Sequence, residues 1–76
     1  MDLESYAISC AHSDIEVNCI EMSRYKGQRR IYSMAALSLF DKEALSFPIS
    51  LLVDKGLAVI RGDEIELLRY ATKGGK

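Results

Sequence analysis

Residues 57–70 read L-A-V-I-R-G-D-E-I-E-L-L-R-Y, two apolar-rich runs around the polar turn Arg61-Gly62-Asp63-Glu64. Short apolar runs flanking such a turn predict a β-hairpin, with Gly62 or Asp63 taking the unusual backbone angles. Leu57, Val59, Ile65 and Leu67 are expected to face inward, and Ile60, Glu66 and Leu68 to take the other face. The hairpin follows Ile49-Ser50-Leu51-Leu52-Val53-Asp54-Lys55, a helix-like run, and Gly56 is the residue expected to close that helix in a left-handed conformation.

Working back, Pro48 removes a hydrogen bond inside any helix but suits its first turn. The stretch therefore divides into a short helix over 42–46, capped by Asp41 with Glu43 in its first turn, and a second helix from Pro48. Ala44, Leu45, Leu51 and Leu52 are expected to contribute to a buried stripe along the two helices, with Phe47 beside it. Residues 33–40 read equally as helix or strand. Arg29-Arg30-Ile31-Tyr32 looks extended, and Ser23 to Gln28 reads as a turn with Gly27 at positive φ.

The N-terminal third alternates. Tyr6, Ile8 and Cys10 fall on one side, then Ile15, Val17 and Cys19, which predicts two short strands after a ragged start at 1–4, with a turn at Ala11-His12-Ser13-Asp14. A helix from Asp14 through Met22 competes, since Ile15, Cys19 and Met22 recur at helical spacing. The β-branched residues at 15 and 17 favour the strand.

The expected fold is thus α+β: a small antiparallel sheet with one helix, or a broken helix pair, before a C-terminal hairpin. A winged-helix-like variant is the alternative. The run 37–60, and within it Leu51-Leu52-Val53-Asp54-Lys55-Gly56-Leu57, resembles the second half of a winged-helix domain, where such a pattern closes the recognition helix and a β-wing follows. The resemblance implies a wing tip at Arg61-Gly62. Between residues 48 and 55 only Asp54 and Lys55 are charged, so the resemblance implies a version that contacts protein.

Seventy-six residues form one domain, with 71–76 expected as a flexible tail ending Gly74-Gly75-Lys76. The composition, 49% hydrophobic and 28% charged, is that of an ordered chain. The net charge of −1 argues against a non-specific polyanion binder, but it is unevenly spread. Five acids and no Lys or Arg occupy residues 1–23, and Arg24, Lys26, Arg29 and Arg30 then follow without an acid. Met1-Asp2-Leu3-Glu4 is acidic and precedes no apolar run, so neither a secretory signal nor a membrane span is expected. A cytoplasmic location follows, with Cys10 and Cys19 as free thiols.

Four groupings carry candidate chemistry. Arg24, Tyr25, Lys26, Arg29 and Arg30, with Tyr32 nearby, offer forked phosphate donors and stacking rings, a nucleic-acid surface. Cys10, His12 and Cys19 are metal-ligand types, but paired close spacing is missing and no orienting group completes a nucleophilic site, so no metal, cofactor or catalytic residue is assigned. Arg61-Gly62-Asp63 is read as an ordinary turn. Finally, Met34, Phe40, Phe47, Ile60, Leu68 and Tyr70 exceed what one small core needs. Ile60, Leu68 and Tyr70 are therefore the expected protein-contact residues, toward a partner or a second copy (a homodimer). The expected function is a small non-enzymatic regulatory or adaptor module, with a nucleic-acid-binding regulator using residues 24–30 as the alternative.

Overall fold

Asp2 starts the first helix. Its carboxylate accepts the Ser5 amide at 2.7 Å, and α1 runs Leu3–Asn18 from there in the computed structural model, which describes residues 2–68. The hydrogen bond holds the Asp2 carboxyl below its ordinary pKa. The cap is therefore fully in place above the ordinary carboxylate range and is lost as pH falls through the lowered value.

One helix here corrects the expected pair of strands, the turn between them and the ragged start. Ile8, Ala11, His12, Ile15 and Cys19 are buried, and that spacing of three and four residues is a helical stripe. The alternating set does not share an environment: Tyr6, Cys10 and Val17 are exposed while Ile8, Ile15 and Cys19 are buried. Packing of the stripe outweighs the β-propensity of Ile15 and Val17.

Strand β1 (Ile20–Lys26) turns at Gly27-Gln28 into β2 (Arg29–Ser33). The expected loop at 23–28 is therefore mostly strand, although Gly27 does take φ 64°. The pairing steps from Glu21↔Tyr32 to Tyr25↔Arg30, so β1 carries two extra residues as a bulge. Residues 33–40 are neither a continuous helix nor a strand. Met34 is buried, the Leu37 amide bonds back to its carbonyl at 3.0 Å, and Ser38 rather than Asp41 caps α2 (Leu39–Ala44) by accepting the Asp41 amide.

Leu45 separates α2 from α3 (Ser46–Asp54), which places Pro48 in the first turn, where no backbone donor is needed. Gly56 stops the helical region at φ 76°, with open space where a Cβ would stand. Gly56→Ala is thus expected to cost about 1 kcal/mol, from backbone strain alone. A shift in the urea midpoint with an unchanged slope checks this.

The hairpin forms as β3 (Ala58–Arg61) and β4 (Glu64–Leu68), with Gly62 at φ 61°. The sheet is antiparallel in the order β1-β2-β4-β3. The two-residue turn fixes Arg61↔Glu64 and hence Ile60↔Ile65 and Ala58↔Leu67. Ile60 consequently shares the helix-facing side with Ile65 and Leu67, and Val59 lies on the outer side with Glu66. This reverses the expected facing of residues 59 and 60.

Helices cover one side of the sheet. Ile8, Ile15, Leu45, Leu52, Leu57 and Leu67 meet in the core between the layers, with Tyr32 and Ile65 from the sheet. His12, expected on a surface turn, is buried on α1, and its Nε2 lies 2.8 Å from the Leu68 carbonyl, joining the helix to the end of β4. In chain order α2 and α3 precede the β3–β4 hairpin, and β1 lies at the edge of the sheet beside β2.

Candidate interaction surface

The basic segment does not form one face. Alternation along β1 and β2 sends Arg24, Lys26 and Arg29 to the outer side of the sheet and Tyr25 and Arg30 to the helix side. Arg30 lies 5.4 Å from the centroid of the Tyr25 ring, and its Nε is 3.2 Å from Glu21. Tyr32 is buried in the core, where its ring is out of reach of a nucleic-acid base.

On the outer side most cations have partners. Arg24 pairs with Glu64. Glu66, only 4% exposed, accepts Arg61 Nε at 2.6 Å and has Lys26 Nζ at 3.8 Å. A carboxylate this buried requires such company. Arg29 makes no ion pair among the described residues, and its Nε is buried without a partner there. The outer side thus carries four cations, Arg24, Lys26, Arg29 and Arg61, against Glu64 and Glu66.

The rest of the described chain has the opposite balance. Nine carboxylates face only Arg30, Lys42 and Lys55, of which Lys42 pairs with Asp63 and Lys55 with Glu4. The helical layer is acidic, and it is also where the apolar surplus is exposed. Phe47 is 73% exposed in the first turn of α3, with Val53 and Ile60 at 43% and 40%. Phe47 belongs to two adjoining grooves. One lies between α3 and β3, lined by Ile49, Val53, Asp54 and Ile60. The other lies between α1 and α3, lined by Tyr6, Ala7, Cys10, Asp14 and Pro48. Asp14 continues into a third depression beside Asp41 and Ala44.

Of the expected contact residues, Ile60 lies on this surface, Leu68 is half-buried against the core, and Tyr70 lies outside the described residues. Phe40 is exposed on α2, whereas Met34 is in the core, a correction to its place in the surplus. Val53, Tyr6 and Cys10 were missed. Their signal is present in the sequence, because Phe47, Ser50, Val53 and Asp54 sit three and four apart, one side of a helix whose other side holds Leu52.

Cys10, His12 and Cys19 do not converge. Cys10 is exposed, Cys19 is buried, and both are free thiols. Among the described residues no group of three His, Cys, Asp or Glu side chains is placed to hold a metal ion. Burial pushes the Cys19 thiol pKa up, which lowers its thiolate fraction. A disulfide-exchange reagent at neutral pH is expected to label Cys10 alone in the folded protein and both thiols in denaturant, as a two-stage count of released chromophore would record.

No helix among the described residues is long and apolar enough to cross a membrane. Comparison of the chain with family models, with curated proteins and with solved structures gives no match.

Proposed function

We propose that this domain is a non-enzymatic regulatory or adaptor module that works through protein contacts made by the α1–α3–β3 surface. The observation that carries the reading is Phe47, an exposed aromatic ring shared by two adjoining apolar grooves. Aromatic anchors in grooves dominate protein interfaces. The winged-helix-like order supports the same reading. In a DNA-binding version α3 would carry cations for phosphates, and here its exposed side offers Phe47, Ser50, Val53 and Asp54.

The test is comparative capture. Proteins retained by the wild-type chain should be lost with Phe47→Glu and kept with Arg29→Ala. Equal retention by all three forms, or none by any, would sink the proposal.

A nucleic-acid reading has one observation in its favour, Arg29, which has no ion-pair partner among the described residues and lies beside Lys26 on the outer side of the sheet. It predicts single-stranded RNA or DNA binding that weakens with salt and with Lys26→Ala plus Arg29→Ala. Absence of binding at low salt excludes it. The acidic helical layer and the ion pairs to Glu64 and Glu66 make it the weaker reading.

A further inference from the structure

We infer that the partner segment seated on the Phe47 surface is a cationic amphipathic helix. The inference rests on the protein-contact reading and names the chemistry of its partner.

Two properties of the surface select that occupant. Its floor is apolar and elongated. It runs from Ile60 and Val53 past Phe47 to Tyr6 and Cys10, so a partner helix presenting apolar residues at successive turns matches it better than a single side chain. Among the described residues its rim has one sign of charge: Asp54, Asp14 and Asp41 line the three adjoining depressions, and no described Lys or Arg lines any of them. None of the three aspartates makes an ion pair among the described residues, whereas the nearby cations Lys42 and Lys55 are held by Asp63 and Glu4. Among the described residues, negative charge on this layer is therefore not neutralised.

The same charge argues against other occupants. A second copy docked face to face would bring one acidic layer against another, and like charges facing across an interface cost affinity. An anionic membrane surface is repelled for the same reason. A partner helix with Leu-type residues on one side and Lys or Arg flanking them satisfies both the floor and the rim.

Two synthetic helical peptides test this. They share one stripe of leucines and differ only in carrying lysines or glutamates on the opposite side. Affinity is read by fluorescence anisotropy at low and moderate salt. The lysine peptide is expected to bind the wild-type chain at least tenfold tighter than its glutamate twin. Asp14→Asn with Asp54→Asn should weaken it about fivefold, the scale of two exposed charge pairs, and salt should shrink its advantage.

Phe47→Glu adds negative charge yet removes the apolar anchor, so it should weaken the lysine peptide. Tighter binding by that variant would mean attraction by charge alone and would overturn the inference. Equal binding of the twins, or binding of neither, also overturns it. If neither peptide binds while Phe47→Glu still abolishes protein capture, the cationic partner falls and the protein-contact reading stands. If Phe47→Glu leaves capture intact, both fall. A concentration-dependent dimer that excludes the lysine peptide and is broken by Phe47→Glu would assign the surface to a second copy instead.

Discussion

Leu52→Ala is expected to remove about 3 kcal/mol of folding stability, within the range of about 2–5 kcal/mol for truncating a fully enclosed leucine. Leu52 is 0% exposed and lies on the inner side of α3, in the core with Ile15 and Leu57. The cost has two parts, the lost transfer energy of the removed atoms and the cavity left behind. Neighbours anchored on separate elements do not collapse readily into such a space, since close-packed interiors relax only partly. For a chain this short, total stability is on the order of 4–11 kcal/mol, so this single change takes a large fraction of it. Chemical denaturation should show a much lower midpoint with little change in slope. Leu39→Ala is the matched control. Leu39 is exposed at the start of α2, and its loss should move stability by less than about 0.5 kcal/mol. Similar costs at the two positions would mean that the inner and outer sides of the helical layer are misassigned.

Phe47→Glu should do the reverse, leaving the fold intact and removing the contact. The side chain is mostly in water, so little buried area is lost. The introduced carboxylate also falls in the first turn of α3, where a negative charge is favourable to the helix. Stability is expected to stay within about 0.5 kcal/mol of wild type. Partner affinity should drop by about 30-fold or more, because an aromatic anchor contributes roughly 2 kcal/mol or more when it is enclosed at an interface. In a complex the new charge would in addition lose its water. Parallel denaturation and binding measurements separate the two effects. A large loss of stability would show Phe47 to be part of the core.

How far these elements could be read from the chain varies with the kind of signal. The α3–Gly56–hairpin unit was legible because its punctuation is local: Pro48 marks the first turn, Gly56 the left-handed stop, and Gly62 the tip. The N-terminal helix was not. Tyr6, Ile8 and Cys10 mimic a strand, and only the full stripe from Ile8 to Cys19, seated against α3 and the sheet, resolves the period. The register of β3 on β4 turned on whether the loop holds two residues, which decides between Val59 and Ile60 for the inner side.

The proposed contact surface was half legible. An excess of apolar residues is visible in composition, and Phe47 and Ile60 were among those expected to be spare. Which elements place them side by side depends on α1 packing along α3, a long-range fact that no local pattern carries. The basic segment shows the converse. It is conspicuous in sequence, but strand alternation divides it, and Glu21, Glu64 and Glu66 from other parts of the chain take up most of its charge.

Where this protein makes contact is tested most directly by an amide NMR titration with the lysine-bearing amphipathic peptide. Shifts are expected to concentrate at Ala7, Cys10, Phe47, Ser50, Val53 and Ile60, with Gly27, Gln28 and Arg29 unmoved. Shifts confined to residues 24–30, with the α1–α3–β3 surface silent, would place the contact on the basic turn and refute the Phe47 surface.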